Sequence, residues 1–203
     1  MEMETLEPIV VHLWCGPRTL STATMYSFSQ RPDAVVVDEP LYAAHLSRNP
    51  QLFRPYRQDL LACSDCDGES VIRNLPQKSN GKSIVVAKHI AKQVEGISRT
   101  LLLTKRSRHV FIVRDPLDMI LSWGVKQSVH QEGCTLEATA LPQLVQLFSE
   151  IRHTSGEIPV VIDSNLLKMY PREILTVLCH KLGIPFYESQ LEWPAGPKPD
   201  IDG

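Results

Sequence analysis

Ile9-Val10-Val11-His12-Leu13-Trp14-Cys15-Gly16-Pro17-Arg18-Thr19-Leu20-Ser21-Thr22 is the stretch on which the fold turns. Its apolar, β-branched and aromatic first half reads as a buried strand over about residues 9–14. Gly16-Pro17 ends the strand. Hydroxyl residues and a cation then open a helix over about 21–30. A strand, a tight turn and a helix start aim unpaired backbone N–H groups and the positive end of a helix dipole at one point, where a phosphate or sulfate can dock. Read alone, the segment also fits an ordinary βα turn with a capped helix.

The turn is not a nucleotide-triphosphatase loop. That pattern, Gly-x-x-x-x-Gly-Lys-Ser/Thr, would need glycine and lysine where this chain has Ser21 and Thr22. The cation comes earlier, at Arg18.

Moving outward, Ala34-Val35-Val36-Val37 reads as a second strand and runs into Asp38-Glu39-Pro40-Leu41-Tyr42. Ser83-Ile84-Val85-Val86-Ala87 reads as a third, followed by Lys88-His89, and Val110-Phe111-Ile112-Val113 as a fourth, followed by Arg114-Asp115-Pro116. Pro116 suits the first turn of a helix to about Gln127. A helix is expected over 136–151, a fifth strand over 159–162, and a helix over 171–182 closed by Gly183. Residues 48–82, punctuated by prolines and glycines, read as an irregular insertion with one or two short helices. Strands alternating with helices predict an α/β fold, a three-layer sandwich with a central parallel sheet. Four strands end in polar residues, at Arg18, Asp38-Glu39, Lys88-His89 and Arg114. Parallel strands present these ends on one edge, where ligands bind in open α/β sheets, so the residues are expected to converge.

The bulk numbers exclude several classes. The chain has 203 residues, 43% apolar and 22% charged, with net charge −2. General attraction to nucleic acid or a membrane surface is not expected. No apolar run approaches the ~20 residues of a membrane span, and the acidic Met1-Glu2-Met3-Glu4 start is unlike a targeting peptide. The expectation is a cytoplasmic, soluble protein forming one domain over 1–203. Five scattered cysteines fit a reducing compartment. Cys63-Ser64-Asp65-Cys66 lacks a second pair for zinc, and the seven histidines show no metal-ligand spacing, so no metal is expected. The loop-like ending from Trp193 to Gly203 fits either a tail or a chain that is C-terminally incomplete.

Arg114-Asp115-Pro116-Leu117-Asp118-Met119-Ile120-Leu121-Ser122 resembles the 3′-phosphate motif of sulfotransferases, R-x-P-x-D-x-x-x-S. The resemblance implies that Arg114 and Ser122 bind the 3′-phosphate of the donor, 3′-phosphoadenosine 5′-phosphosulfate, which suits the forked donors of arginine. A strand-terminal arginine paired with Asp118 and a serine bonded to its own backbone fit the same residues. Pro17-Arg18-Thr19-Leu20-Ser21-Thr22 resembles the family's 5′-phosphosulfate loop, with leucine at position 20 where members often have glycine. Carried over, Arg18 touches the bridging oxygen and sulfate, and Thr19, Ser21 and Thr22 hold the 5′-phosphate. Asp38-Glu39-Pro40-Leu41-Tyr42 resembles the element after strand two in carbohydrate sulfotransferases. The runs 14–42 and 87–93 and the chain end are similar to a sulfotransferase-like group fused, in plants, to branched-chain aminotransferase-like domains. The implied fold is the P-loop NTPase-like sulfotransferase fold.

The implied activity is sulfuryl transfer to a small-molecule acceptor, with a fused or associated aminotransferase-like domain as a partner. Two residues compete as general base. His89 lies where cytosolic sulfotransferases carry Lys-x-His, but here Lys88 and His89 are adjacent, so strand alternation turns one of them away. Glu39 is the rival, and also fits as a salt-bridge partner of Arg18 or Lys88. His89 is slightly favoured, with Lys88 stabilising the leaving phosphate or the sulfate. A non-catalytic nucleotide-binding module of a larger protein is the alternative; a small-molecule kinase is disfavoured by the missing loop lysine. Trp123, His12 and Trp14 read as core, and the Lys105-Arg106-Ser107-Arg108 cluster as a solvated edge at the opposite end of the sheet.

Overall fold

Strand β1 (Ile9–Cys15) is buried along almost its whole length on both sides, so it can only be a central strand. The computed structural model describes residues 7–124 and 135–196, and places β1 in the middle of a five-stranded sheet among those residues. The order is β2-β3-β1-β4-β5 and every pair is parallel, with β2 (Ala34–Asp38), β3 (Ile84–Ile90), β4 (Ser107–Val113) and β5 (Val160–Asp163). The chain therefore crosses the sheet in both directions from β1, which leaves the switch point at the C-terminal end of that strand.

Alternation along the strands sorts side chains into two cores. Val10, Trp14, Ala87 and Phe111 face α7 (Leu141–Ser155), which inserts Leu144, Leu147 and Ile151. Shorter helices complete that layer through α4 (Gly68–Arg73) and α5 (Arg99–Leu102). Val11, Leu13, Cys15, Val86 and Ile112 face the other way. They meet Phe28 of α1 (Ser21–Ser29), Leu167 of α8 (Ser164–Met169) and the Leu175, Leu178, Leu182 stripe of α9 (Pro171–Leu182). This is the expected three-layer α/β arrangement.

The boundaries differ in informative ways. Strand β3 runs through Lys88 and His89 to Ile90 instead of stopping at Ala87. Its neighbours on both sides, Asp38 on β2 and Leu13 and Trp14 on β1, pair with these two residues and carry the ladder on. Strand β4 likewise takes in Ser107 and Arg108, so half of the basic cluster is strand. Helix α7 starts at Leu141, after Ala140 in a left-handed conformation (φ 58°), and runs past Ile151 to a Gly156 cap. The insertion holds α3 (Arg57–Cys63), α4 and a 3-10 turn over Pro76–Ser79; α2 (Tyr42–Arg48) ahead of it was not foreseen. Helix α6 is described over Pro116–Gly124, and its expected extension to Gln127 lies outside the described residues. Helix α9 and its Gly183 cap (φ 71°) fall as expected.

A buried cation ties the α1 end to the chain's later half. Arg31, 1% exposed, makes two parallel bonds to Asp33 and donates to the Pro185 carbonyl and the Gln190 side chain. Full pairing is what makes a buried guanidinium tolerable.

Candidate active site

The loop after β1 folds as an anion cradle. Arg18 (φ 64°) and Leu20 (φ 61°) both take left-handed backbone, so the sign of φ alternates through Pro17-Arg18-Thr19-Leu20. Leu20 is the residue before α1, and the first helical bond runs from Thr24 N–H to its carbonyl. The N–H groups ahead of Thr24 thus have no acceptor within the helix. Leucine holds a conformation that glycine adopts without strain. Gly16 is required by space: a Cβ there would lie 2.5 Å from the Thr139 carbonyl oxygen. Gly16→Ala is expected to cost about 1–3 kcal/mol in a urea melt and to weaken anion binding by moving the loop. An unchanged unfolding midpoint would contradict the close approach.

The strand ends do converge. Arg18, Ser21, Thr22, Glu39 and Lys88 line one cleft of about 380 Å³. Arg18 Nε donates to Ser122 Oγ at 3.1 Å, and Arg114 Nη1 donates to the Arg18 carbonyl at 2.8 Å. Arg18, Arg114 and Ser122 are therefore a contiguous group although 104 positions separate the first from the last. Asp118 accepts from Asn165 Nδ2, and Ser122 receives the Arg18 guanidinium, so the arrangement in which each of these residues serves only its own neighbourhood is not the one formed. Thr19 differs from expectation: it is buried and its hydroxyl donates to the Gly16 carbonyl at 2.8 Å, which leaves only its backbone N–H for an anion.

Parity decides between the two candidate bases. Lys88 shares a face with Leu13 and Val86, toward α1 and the loop, and its ammonium lies 2.5 Å from Asp38 Oδ1 and 3.0 Å from Glu39 Oε1. Burial works against its charge, but Glu39 and Asp38 outweigh this and raise its pKa to about 12. His89, one residue on, points to the opposite face. It is fully buried, hydrogen-bonded to His12 at 3.2 Å and stacked on Trp14. Burial first, then His109 and Lys88, push its pKa down to about 3. His89 is therefore not a residue of the cleft, and its assignment as base is corrected on this geometry. Glu39 stays in the cleft.

Glu39 is also conformationally marked. Its φ of 39° is unusual for a residue with a Cβ, and such strain persists only where surroundings impose it. Its N–H donates to the Lys88 carbonyl at 2.9 Å, and its second carboxylate oxygen accepts from Gln93 Nε2 at 2.6 Å. Gln93 is buried in the 3-10 turn Ala91–Val94, and its Oε1 has no partner among the described residues. It belongs to a run singled out for resemblance, but no spacing rule gave it a role.

Other cleft residues were missed as well. Tyr42, His45, Arg54 and Lys92 come from α2, the insertion and the turn after β3. Burial, then Lys92, Arg48 and Arg54, lower the His45 pKa to about 4, so it is neutral near pH 7. Trp123, read as core, lines the cleft, while Trp14 and His12 are buried as expected. Asp163 caps α8 through the N–H groups of Asn165 and Leu166. Cys63 and Cys66 are free thiols bonded to nearby carbonyls.

A loop with two left-handed residues after β1, an arginine after β4 beside a serine of α6, and a lysine–carboxylate pair where β2 and β3 end make up the site that the comparisons bear on. The sulfotransferase domain model matches residues 9–203. The chain belongs to the sulfotransferase family. The Arabidopsis thaliana branched-chain-amino-acid aminotransferase-like protein 1 is 40% identical over 195 residues, covering 96% of this chain but 34% of that protein. The chain thus spans about a third of the length of that curated relative. Among solved structures, the sulfotransferase domain of the Synechococcus PCC 7002 olefin synthase superposes with TM-score 0.61 at 15% identity, over 97% of this chain and 81% of that one. Mouse sulfotransferase SULT7A1, solved in complex with PAP, superposes with TM-score 0.50 at 12% identity, over 91% and 62%. The family's fold is therefore this chain's fold. No helix among the described residues is long and apolar enough to cross a membrane.

Proposed function

We propose that this sulfotransferase domain moves a sulfuryl group from 3′-phosphoadenosine 5′-phosphosulfate to a hydroxyl, or an amine, of a small-molecule acceptor. The observation that carries the reading is the hydrogen-bonded group Arg114–Arg18–Ser122 over the head of α1. It offers two guanidinium groups and a hydroxyl beside a loop of unpaired N–H donors. In this reading Arg114 and Ser122 take the 3′-phosphate. Backbone N–H groups of Thr19, Ser21 and Thr22, with the hydroxyls of Ser21 and Thr22, take the 5′-phosphate. Arg18 reaches the bridging oxygen and sulfate.

Glu39 accepts the acceptor's proton as its oxygen attacks sulfur. The bond from sulfur to the bridging oxygen breaks, and its electron pair leaves on the 5′-phosphate of adenosine 3′,5′-bisphosphate. Lys88, fully protonated, has three N–H donors; two serve Asp38 and Glu39, and the third meets charge developing on the sulfuryl and leaving oxygens. Gln93 holds the Glu39 carboxylate toward the acceptor.

Adenosine 3′,5′-bisphosphate at 100 times its Kd is expected to stabilise the fold by about 2.7 kcal/mol, or roughly 5–10 °C in Tm for a domain of this size. Adenosine 5′-phosphate at the same concentration should give a much smaller shift, and Arg114→Ala should abolish the difference. Equal shifts from both nucleotides would overturn the 3′-phosphate assignment.

The aminotransferase-like name of the longer relative favours a second reading, a nucleotide-binding partner module without transfer activity. Under that reading the bisphosphate shift survives while labelled sulfate reaches no acceptor.

A further inference from the structure

Among the described residues that line the cleft, two carry a buried side-chain atom with no hydrogen-bond partner: Gln93 Oε1 and His45 Nε2. Gln93 is 2% exposed and His45 6%. A buried polar atom without a partner is unfavourable, and a ligand group that reaches it removes that cost. Neither atom has a use in the transfer step as derived so far.

The role open to each atom follows from what the rest of its side chain does. Gln93 turns Nε2 to Glu39 Oε2 at 2.6 Å, because only the amide nitrogen can donate to a carboxylate. Its oxygen, one amide width from Glu39, is left as an unused acceptor. Arg48 Nη2 holds Gln93 in place through its backbone carbonyl at 3.0 Å. At His45 the Asn49 Nδ2 donates to the His45 carbonyl at 2.8 Å and lies 3.4 Å from the ring Nδ1. An amide nitrogen only donates, so Nδ1 is the accepting nitrogen. The ring is neutral near pH 7, and a neutral imidazole that accepts at Nδ1 carries its proton on Nε2. His45 Nε2–H is therefore an unused donor, close enough to Glu39 to feel its charge. Each Glu39 oxygen still has a lone pair after bonding Lys88 or Gln93.

We propose that Gln93 and His45 select a 1,2-diol as the acceptor. One hydroxyl reacts at Glu39, and its neighbour donates to Gln93 Oε1 while accepting from His45 Nε2–H. A hydroxyl does both at once, whereas an ammonium in its place could only donate. Leu52 and Trp123 line the same cleft and meet the carbon body. The proposal rests on the sulfuryl-transfer reading and adds the acceptor's chemical class. The step balances as above: the reacting hydroxyl's proton passes to Glu39, the oxygen–sulfur bond forms, and adenosine 3′,5′-bisphosphate departs. The second hydroxyl keeps its proton.

Catechol, 2-methoxyphenol and phenol test it. They share a ring and a reacting hydroxyl, and the neighbouring group donates and accepts, only accepts, or does neither. With labelled donor, kcat/KM is expected to fall in that order by about tenfold per lost hydrogen bond. His45→Phe removes the donor and should bring 2-methoxyphenol level with phenol while catechol keeps its lead. Gln93→Met removes the acceptor and should bring catechol level with 2-methoxyphenol. Ratios are compared within each variant, so a general loss of activity or stability cancels. A readout that needs no turnover is calorimetric binding to protein saturated with adenosine 3′,5′-bisphosphate, where Kd should rise in the same order. Equal Kd values for the three, no binding of catechol, or ratios that neither variant changes overturns the proposal. Loss of the bisphosphate thermal shift instead overturns the nucleotide reading beneath it, so the two failures are told apart.

Discussion

Glu39→Gln is expected to lower kcat for the proposed sulfuryl transfer by about 10²–10⁴-fold, the range supplied by one general base, and to leave the thermal shift with adenosine 3′,5′-bisphosphate in place. Glu39 is the one carboxylate among the described residues that line the cleft, and it is held there on two sides by Lys88 and Gln93. Glutamine keeps the shape and an oxygen for Lys88 but cannot take a proton. Binding of the donor should survive because the groups assigned to its phosphates, from the β1 loop and α6, are untouched. A variant that retains more than about a tenth of the wild-type kcat would remove Glu39 from the base role. One that loses both kcat and the thermal shift would mark Glu39 as a structural partner of Lys88.

Lowering the pH from 7.5 to 5 is expected to reduce Tm by more than about 10 °C, over a range in which most carboxylates remain ionised. The cause lies under α7, on the face of the sheet away from Lys88 and α1. His12, His89 and His109 stack there with Trp14. The Trp14 indole donates to His109 Nδ1, and His109 Nε2 bonds the Leu102 carbonyl. Burial pulls the His89 pKa to about 3 and the His109 pKa to about 4. It takes His12 well below the ordinary value, with His109 and His89 adding to the effect.

The sign follows from linkage. These folded-state values are depressed, so the native protein keeps the rings neutral while the unfolded chain binds protons below about pH 6.5. Stability is intact above pH 6.5 and falls as pH drops toward 4. At pH 5 His89 and His109 each contribute a loss of about 2 kcal/mol, His12 adds to it in the same direction, and the total approaches the lower end of a typical domain stability of about 5–15 kcal/mol. Urea or thermal melts across this window measure it. A Tm that is flat between pH 7.5 and 5 would mean that water or a proton reaches these rings in the native state.

These histidines also explain what the sequence could and could not say. The pattern of β1 is legible because Ile9 to Cys15 is apolar on both faces, which is the signature of a covered parallel strand. The meeting of Arg18 and Arg114 was legible too, since both follow strand ends and such ends meet on one edge of a parallel sheet. Lys88 and His89 were harder. Polar residues at the end of Ile84 to Ala87 look like a strand terminus, yet β1 pairs with both of them and β2 with Lys88, which draws them into the ladder. Once inside the strand, neighbouring positions face opposite layers, and this turned His89 into the core and left Lys88 at the loop. One residue of register separated a catalytic reading from a structural one. Gln93 and His45 owe their places to a 3-10 turn and to α2, neither of which leaves a periodic trace in so few residues.

The central claim is that separate strand ends gather around one nucleotide bearing two phosphate groups. A crystal structure with adenosine 3′,5′-bisphosphate tests it most directly. The account predicts the 5′-phosphate on the N–H groups of Thr19, Ser21 and Thr22, and the 3′-phosphate between Arg114 and Ser122. A nucleotide bound elsewhere, or one whose 3′-phosphate points into solvent away from Arg114, would contradict it.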